Sequence, residues 1–415
     1  MTAGGTTAAL APARDYLVQA RERITSPLGP YYLILGAGSL LLVFGLTMVL
    51  SASSVTSYAS ASGSSYTVFF NQAIFAVLGL IAAFVASRIS VRVWKMLAYP
   101  VYFAALILQL LVFTGLGLEV NGNRNWIGAA GFTMQPSEFG KIAVVLLVAS
   151  VLASKRRVLD QYRHLLIPLA PLMLLLIGAV MGGHDLGTTV ILLSIVGAMV
   201  FVAGVRTRVF AIAGALAIIP ILAFALTSQN RTGRIDAWLG TCVNASTPGC
   251  WQKIHGMYAM ADGGWWGVGL GASREKWFWL PEAHNDFIFA IIGEELGIPG
   301  TIAVVGLYIV LAYACFRLIT TSNDMFVRLA TAGIMMWIVF QAMVNIGSVT
   351  GLLPIIGVPL PLVSAGGSAL VTTLFALGML LSFARAEPEC KAALKARPSL
   401  LRKATAVLAT PRNTR

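Results

Sequence analysis

Ionisable side chains interrupt an apolar stretch in the second half of the chain, where they could carry out acid–base chemistry at a membrane surface. The segment WFWLPEAHNDFIFAIIGEELG begins as an aromatic and polar loop that contains Glu282, His284 and Asp286. It continues as an apolar run that contains Glu294 and Glu295. A charge inside a transmembrane helix costs about 2.5 to 3.5 kcal/mol on insertion scales. These acids predict a catalytic or transport site at the outer end of a membrane helix, or a helix whose glutamates pair with a neighbouring helix.

A second set of ionisable residues lies in the first half of the chain. Glu138 and Lys141 are three residues apart in an apolar run, so they share one helix face and would either pair or line a polar cavity. The alternative is purely structural, because Pro136 and Glu138 suit the first turn of a helix. Asp185 precedes another apolar run, where it could cap the next helix or take part in a site.

Basic residues occur in two connections that the apolar pattern leaves unexplained. Arg124 and Trp126 lie in one of them, and Arg231 lies at the start of a long one. Arg274 and Lys276 follow a run of glycines in the same long connection. Glycines allow a backbone to approach a ligand closely, and the bases could hold a phosphate. The glycine spacing matches no phosphate-binding loop.

The four cysteines are too few for a disulfide scaffold. Cys242 and Cys250 lie in the same predicted outer loop, and an oxidising compartment favours a disulfide between them over two free thiols. Cys315 and Cys390 fall on the predicted cytoplasmic side, where they are expected to stay reduced.

The composition defines the class of protein that must position these groups. Of 415 residues, 58% are hydrophobic and 11% are charged, and the mean hydropathy is +0.82. Such a chain is too apolar for an ordinary soluble protein and indicates an all-α polytopic membrane protein. The net charge of +13 does not indicate a nucleic-acid partner, because the basic residues cluster in short loops between apolar runs, as positive-inside topology requires.

Apolar runs long enough to cross a bilayer predict ten transmembrane helices. Lys and Arg occur in every second connection, which places both termini in the cytoplasm. The predicted spans lie at about residues 31–52, 68–87, 96–116, 137–154, 165–182, 187–204, 209–227, 287–314, 329–350 and 367–384.

These spans divide the chain into three predicted parts. Residues 1–30 form a cytoplasmic tail of disorder-like composition, residues 31–385 form the membrane domain, and residues 386–415 form a basic cytoplasmic tail. A large outer loop, residues 228–286, joins the seventh and eighth helices. Proline and glycine are frequent between residues 341 and 373, which predicts a broken or re-entrant segment at membrane depth.

Several ordered motifs together resemble one family. NRNWIG, QPSEFGK, HDLGTT, GGWWGVGLGASREKWFWLPEAHNDFIFAIIGEELG and NIGSVTGLLPIIGVPLPLVSAGGS are similar to the SEDS (shape, elongation, division and sporulation) family over about residues 35–385. The resemblance implies a ten-helix membrane glycosyltransferase that polymerises lipid II into the glycan strands of peptidoglycan. The extended polar N-terminus and the EELG ending are most similar to the cell-division branch of the family.

The resemblance also implies roles for individual residues. The family's essential outer aspartate falls on Asp286, the acid and lysine of its QPSExxK motif fall on Glu138 and Lys141, and its motif tryptophan falls on Trp126. Ala365 stands where the family often has a tyrosine, so that position receives no role.

Glycosyl transfer from a lipid diphosphate requires a base for the proton of the acceptor 4-hydroxyl and cations for the leaving diphosphate. Asp286 suits the first task, and a single displacement would invert the α-linked donor into a β-1,4 product. Lys141, Arg231, Arg274 and Lys276 suit the second task. A divalent cation, Mg²⁺ or Mn²⁺, would assist the same step, although no ligand spacing in the sequence indicates one.

The resemblance implies further partners and a location. The partners are a class B penicillin-binding protein transpeptidase, other division proteins and membrane lipids, and the location is the cytoplasmic (inner) membrane at the division septum. A lipid II flippase is the main competing hypothesis, because the intramembrane acids and Lys141 would also suit a translocation path. The elongation role of the same family is a further candidate, whereas a non-catalytic scaffold would leave the intramembrane acids unexplained.

Overall fold

The computed structural model describes residues 26–59, 63–120, 122–129, 132–157, 162–205, 229–240 and 248–396, together with single positions between 208 and 223. Its elements are mainly helical. In chain order they are α1 (Gly29–Ala59), α2 (Thr67–Arg88), α3 (Val91–Leu111), β1 (Gly117–Val120), β2 (Asn123–Ala129), β3 (Phe132–Met134), α4 (Pro136–Ser154), α5 (Tyr162–Gly182), α6 (Leu186–Val202), α7 (Gln229–Trp238), α8 (Pro248–Gly263), α9 (Ile288–Thr321), α10 (Met325–Val349), α11 (Gly367–Ala386) and α12 (Pro388–Ala396).

The predicted class, a helical polytopic membrane protein, is confirmed. In the described part of the chain, seven helices are long and apolar enough to cross a membrane, namely α1, α2, α3, α4, α9, α10 and α11. The shorter apolar helices Ile167–Gly182 and Leu186–Val202 coincide with the fifth and sixth predicted spans. The seventh predicted span, 209–227, lies outside the described residues apart from single positions. The number of ten spans and the inside–outside orientation therefore stay predictions.

The third span was predicted about five residues too far along the chain, at 96–116. The helix α3 instead begins directly after Ser90 and ends at Leu111. Its first turns carry Lys95, whose Nζ atom forms an exposed ion pair with Asp324 Oδ2 at 2.7 Å. A long basic side chain can remain in water while its stem lies along apolar surface, so the helix extends beyond the apolar run.

The eighth span, α9, is longer than predicted and is broken. Gly297 has φ 63° and ψ −155° inside it, and Pro299 follows two residues later. A straight helix of 34 residues would measure about 51 Å, more than the roughly 30 Å of a bilayer's hydrocarbon core. The break separates a short first part, which carries Glu294 and Glu295, from a second part long enough to cross the membrane.

A small antiparallel sheet, with strand order β1–β2–β3, occupies the connection before α4. The sequence analysis treated this connection as a loop. The dipeptide Asn121-Gly122, which lies between the first two strands, is a favoured sequence for a two-residue hairpin turn and was the missed signal. The sheet adds to the helical fold without changing its class.

The helix α4 lies at the centre of the bundle. Its buried residues cover every face, from Pro136 and Ser137 at its start to Val151 and Leu152 near its end. A helix that is apolar all round belongs in the interior of a bundle. Its polar residues therefore face other helices rather than lipid.

Residues 350–366 connect α10 to α11 without helical structure, which confirms the predicted break between residues 341 and 373. Non-helical backbone at membrane depth is stable only when its polar groups find partners within the protein. Side chains of α2, α9 and α10 provide those partners here. Gln72 bonds Ser364 O and Gly366 N, Tyr308 bonds Pro361 O, Gln341 bonds Pro359 O, Asn345 bonds Val358 O, and Ser348 bonds Pro354 O.

The long connection before α9 contains two helices, α7 and α8, rather than loop alone. The helix α8 packs against the start of α9, so closely that a Cβ atom added at Gly256 would lie 2.9 Å from the Phe287 ring. Cys250, in α8, is disulfide-bonded. Cys242 lies outside the described residues, so the Cys242–Cys250 pairing stays a prediction. Cys315 and Cys390 are free and buried.

Candidate functional site

Asp286 lies two residues before α9, where the long connection meets the bundle. The backbone around it is fixed to α10 and to the 350–366 segment. Three successive carbonyl groups accept hydrogen bonds: Asp286 O from Asn345 Nδ2 at 2.7 Å, Asn285 O from Ser364 Oγ at 2.7 Å, and His284 O from Ala365 N at 2.9 Å. The fold therefore holds the Asp286 side chain in one place.

The Asp286 carboxyl is half-buried and has an unusual pKa. Burial, together with the nearby negative charge of Glu282, raises its pKa to about 6, although Arg234 acts in the opposite direction. Among the described residues, no side chain forms a hydrogen bond or an ion pair with this carboxyl group. A carboxyl group with a pKa close to the working pH is well suited to take up a proton.

The side chains of Asp286 and Arg234 approach the same point, next to Gly357 of the 350–366 segment. A Cβ atom added to Gly357 would lie 3.5 Å from Arg234 Nη1 and 3.5 Å from Asp286 Oδ2. Gly357 has φ 79°, a conformation that L residues with side chains rarely adopt. The glycine thus leaves room between an acid and a base that do not pair directly.

A small pocket opens beside Asp286. We call it the Asp286 pocket. Its lining consists of Asp286, Phe287, Asn345, Ser348, Val349, Ile355, Gly357 and Val358. The start of α9, the end of α10 and the 350–366 segment therefore build it jointly.

A second pocket, which we call the basic pocket, adjoins the first and shares Ser348 and Ile355 with it. Arg234 and Lys253 contribute two cations to its lining. Lys253 Nζ donates to Ala237 O at 2.8 Å, so this ammonium joins α8 to the end of α7. Positive charge thus lies directly next to Asp286.

His284 and Glu282 lie in the turn before Asp286. His284 is half-buried, and burial lowers its pKa more than the nearby Glu282 raises it, so the imidazole is neutral at neutral pH. Glu282 is exposed and accepts a hydrogen bond from Asn285 Nδ2 at 2.5 Å. Glu282 therefore raises the pKa of Asp286 through its negative charge and not through a hydrogen bond.

Glu138 and Lys141 pair deep inside the bundle. Lys141 Nζ lies 2.6 Å from Glu138 Oε1 and donates to Gln341 Oε1 at 3.1 Å. It also lies 4.9 Å from the centre of the Trp337 ring, and Thr372 Oγ1 donates to Glu138 Oε2 at 3.3 Å. We call these five residues the α4 cluster.

The α4 cluster corrects the predicted role of Lys141 as a ligand of the leaving diphosphate. Lys141 is 1% exposed and Glu138 is 2% exposed. The ammonium group is surrounded by its protein partners, and a buried ion pair of this kind is too costly to open for each substrate molecule. The structure therefore does not bring Lys141 or Glu138 to the Asp286 pocket.

Asp185 acts as a helix cap. Its Oδ1 atom accepts from Thr188 N at 3.0 Å, and its Oδ2 atom accepts from Gln135 Nε2 at 2.7 Å and from Ser137 Oγ at 3.2 Å. These bonds join the start of α6 to the start of α4. Both carboxylate oxygens thus accept hydrogen bonds from the protein, which fits a structural role for Asp185.

Glu294 and Glu295 fasten the glycine-rich part of the long connection to α9. Glu294 accepts from Ser273 Oγ and from Arg274 N, both at 2.6 Å. Glu295 lies 3.0 Å from Lys276 Nζ. Lys276 is 3% exposed and also donates to Gly271 O at 2.7 Å. The ammonium group of Lys276 is therefore enclosed by protein acceptors, which does not favour the predicted phosphate contact.

Two glycines of this connection, Gly263 and Gly267, lie close to the backbone of α9. Val268 N donates to Glu294 O at 2.9 Å, and Gly269 N donates to Glu295 O at 3.0 Å. A Cβ atom added at Gly263 would overlap the backbone of Gly293. The predicted close approach occurs, but its partner is α9.

Arg124 and Arg274, two other predicted basic residues, do not line the Asp286 pocket. Arg124 Nη2 donates to Thr114 O at 2.8 Å, and the half-buried Trp126 pairs with Leu118 across the sheet. Arg274 is exposed and contributes its backbone N–H to Glu294. The side chain of Arg231 lies outside the described residues.

Three residues of the two pockets escaped the sequence analysis as site residues: Arg234, Lys253 and Asn345. Arg234 follows Arg231 by three positions, which places both on one helix face, and this spacing could have drawn attention to it. Lys253 carries no comparable signal. Asn345 is a polar residue in an apolar helix, a signal that the sequence analysis left unassigned.

Within the ranges that the structure describes, no three His, Cys, Asp or Glu side chains come together as a metal site. The Asp286 pocket offers one carboxylate, with Glu282 near it. Mg²⁺ commonly binds through one or two carboxylates together with substrate phosphates, so these residues fit an ion that arrives with a diphosphate.

Comparisons with known proteins find relatives over most of the chain. The family described as cell cycle protein (FtsW, RodA and SpoVE) matches residues 31–389. The "Probable peptidoglycan glycosyltransferase FtsW" of Mycobacterium tuberculosis is 40% identical over 371 residues, which cover 89% of this chain and 70% of that protein. Stage V sporulation protein E of Bacillus subtilis is 35% identical, over 87% of this chain and 98% of that protein.

Solved structures show the same fold. A chain from a peptidoglycan synthase complex, described as coordinating polymerization and crosslinking, superposes with a TM-score of 0.68. It is 27% identical, and the match covers 87% of this chain and 98% of that chain.

Proposed function

The chain belongs to the FtsW, RodA and SpoVE family of cell cycle proteins, and we propose that it is a peptidoglycan glycosyltransferase that polymerises lipid II during cell division. It works as a multi-pass protein of the inner membrane. The observation that carries the proposal is Asp286, a positioned carboxyl group with a pKa of about 6 that lines a pocket, has Arg234 close by, and adjoins a second pocket that Arg234 and Lys253 line.

Asp286 acts as the general base. It takes the proton of the acceptor 4-hydroxyl, and the hydroxyl oxygen attacks the anomeric carbon of the lipid-linked donor from the opposite face. The bond between that carbon and the diphosphate oxygen breaks, and the diphosphate leaves with the electron pair. One displacement inverts the α-linked donor and forms a β-1,4 bond.

Arg234 and Lys253 stabilise the leaving diphosphate. Both line the basic pocket next to Asp286, and cations held at the place where negative charge develops lower the barrier. We assign this role to them instead of to Lys141 and Lys276, because the ammonium groups of those two lysines are enclosed by protein. Arg274, which is exposed, remains suited to the longer-range attraction of the substrate. A divalent cation would neutralise the same diphosphate charge when bound to it.

The flippase hypothesis fits the structure less well. A translocation path needs polar groups that a lipid headgroup can reach along the membrane depth. The Glu138–Lys141 pair is enclosed by protein partners, whereas Asp286 faces a pocket. This distribution supports catalysis at one end of the bundle.

A class B penicillin-binding protein is the proposed protein partner, with other division proteins at the septum. The fold similarity to a chain of a complex that coordinates polymerization and crosslinking supports this proposal. A transpeptidase next to the polymerase would crosslink each strand as it forms.

The variant Asp286→Asn tests the proposal, because an amide keeps the size of the side chain but cannot take up the proton. We expect glycan-strand formation from labelled lipid II, in nanodiscs with the transpeptidase present, to fall about 10²- to 10⁴-fold. Asp262→Asn removes an exposed acid of the same connection and is expected to keep the parent rate.

Lipid II flipping in liposomes separates the two functions. The polymerase proposal predicts the same flipping signal for Asp286→Asn and the parent, whereas the flippase hypothesis predicts a decrease in the variant. Polymerisation at the parent rate by Asp286→Asn would show that another group is the base.

A further inference from the structure

Asn345 is held in one orientation by two backbone carbonyl groups. Its Nδ2 atom donates to Asp286 O at 2.7 Å and to Val358 O at 2.8 Å. Both amide protons are therefore used. Rotating the amide by half a turn would bring Oδ1 against two carbonyl oxygens, so the hydrogen-bond network assigns the position of Oδ1.

The oxygen of this amide is buried and without a donor. Asn345 is 2% exposed, and across the part of the chain that the structure describes, Oδ1 has no hydrogen-bond partner. Burying an amide oxygen without a donor is unfavourable, so the great majority of such atoms in proteins are paired. Asn345 lines the Asp286 pocket, and a bound group there is placed to supply the missing donor.

Gln341, one helical turn earlier on α10, provides a comparison within the same helix. Its Oε1 atom accepts from Lys141 Nζ at 3.1 Å and from Trp337 Nε1 at 3.0 Å, and its Nε2 atom donates to Pro359 O at 2.8 Å. Both amides bind the 350–366 segment through nitrogen. They differ in that the oxygen of Gln341 has protein donors.

We propose that Asn345 Oδ1 accepts a hydrogen bond from the sugar acceptor, from the ring hydroxyl next to the one that Asp286 deprotonates. The attacking 4-hydroxyl has a single proton, which goes to Asp286, so that hydroxyl cannot also donate to Asn345. The adjacent 3-hydroxyl lies beside it on the same edge of the ring. Asp286 and Asn345 line the same pocket, so one edge of a sugar ring held there would meet both residues.

The two acceptor groups are mechanically coupled. Asn345 Nδ2 binds the carbonyl oxygen of Asp286 itself, so the base and the hydroxyl-binding oxygen keep a fixed separation. Two fixed acceptors orient a vicinal diol better than one, and correct orientation of the nucleophile contributes strongly to the rate. Asn345 is thus a residue that positions the acceptor and discriminates between acceptors. This inference rests on the proposed function.

A cycle that combines a protein change with a substrate change tests this contact. The probes are two lipid II analogues that differ only in the 3-hydroxyl of the terminal sugar, and the measurement is their affinity for the full-length protein in nanodiscs. We expect the parent to bind the hydroxyl form about tenfold more tightly. In Asn345→Ala this preference is expected to fall to nearly one.

Ser348→Ala is the matched control, because Ser348 lines the same pocket but already donates to Val344 O and Pro354 O. It is expected to keep the tenfold preference. A structural role of Asn345 alone would weaken both analogues equally and leave the preference unchanged, which would overturn the inference. Asn345→Ser provides a second variant if the alanine variant does not fold.

A different experimental result would refute the proposed function itself. A parent protein that forms no glycan strands from lipid II would refute the polymerase itself. A parent that polymerises normally, but whose preference for the 3-hydroxyl survives in both Asn345 variants, would refute only the hydroxyl contact.

Discussion

Two polar sites of this protein adjoin the same face of α10 and use similar residues in opposite ways. The α4 cluster encloses an acid and a base that contact each other, with Gln341 completing it. The Asp286 pocket holds an acid and a base that approach Gly357 without pairing, with Asn345 beside them. The first arrangement satisfies its charges within the protein and stabilises the bundle. The second leaves an acid available for chemistry.

The difference shows what makes an ionisable residue functional in a membrane domain. Charge and polarity are present at both sites, so composition does not distinguish them. A buried pair with all its donors and acceptors matched has no affinity left for a substrate. An unpaired carboxyl group whose pKa is raised to about 6 is costly to maintain, and this is the usual property of a catalytic group.

The largest effect on protein abundance is expected at the α4 cluster. Lys141→Met leaves Glu138 buried without its counter-charge, a loss of about 3 to 5 kcal/mol. Folded protein, measured by size-exclusion fluorescence in detergent, should fall sharply. The double variant Glu138→Gln with Lys141→Met removes both charges and should recover most of the abundance. If the double variant is no more abundant than Lys141→Met alone, charge pairing is not the reason for the loss.

A smaller effect, on rate rather than abundance, is expected from Arg234→Gln. Removing a cation from the position where the diphosphate leaves should lower kcat/KM about 10²-fold. The same change removes the charge that lowers the pKa of Asp286, so the pH midpoint of kcat/KM should move upward. Lys253→Gln should lower the rate without moving the midpoint. An unchanged pH midpoint in Arg234→Gln would show that the charge of Arg234 does not act on the pKa of Asp286.

The pH dependence of the parent follows from the raised pKa of Asp286. Below a pH of about 6 the carboxyl is protonated and cannot accept a proton, so kcat/KM should rise with pH and reach half its maximum near pH 6. Glu282→Gln removes a negative charge that raises this pKa, so the midpoint should move to lower pH. A profile that is flat between pH 5 and pH 7, as measured on folded protein, would contradict the assignment of Asp286 as the base.

The smallest effect is expected at Asp185. Asp185→Ala removes the cap of α6 and two bonds to the start of α4, which should cost about 0.5 to 2 kcal/mol. A modest decrease in thermal stability with a retained rate per folded molecule is the expected result. Complete loss of activity in folded protein would place Asp185 in the chemistry instead.

Much of the architecture could be read from the sequence because it depends on local properties. Apolar runs located the spans, and the prolines and glycines between residues 341 and 373 predicted the break that α10 and α11 flank. The predicted bounds of the helices were less accurate where a helix continues beyond its apolar run into residues with long basic side chains, such as Lys95 in α3. The hairpin before α4 was missed although Asn121-Gly122 indicated it.

The site was only partly predictable. Asp286 was predicted from its position and from the family resemblance, and the structure places it beside a pocket, whereas it encloses the ammonium groups of Lys141 and Lys276. Their enclosure depends on Gln341, which lies 200 positions from Lys141, and on Glu295, which lies 19 positions from Lys276. Arg234, Lys253 and Asn345 carry ordinary side chains, and only their convergence around the Asp286 pocket makes them notable.

The sequence by itself determined that this chain forms a helical membrane protein, where its main helices and its broken segment lie, and which residues are ionisable. Hydropathy and turn propensity act over a few residues, so they can be read along the chain. Only the tertiary structure decided which acids and bases neutralise each other and which remain available. That outcome depends on distances between side chains far apart in sequence, as when Asn345 binds the carbonyl group of Asp286 from 59 positions away while its own side-chain oxygen finds no donor among the described residues.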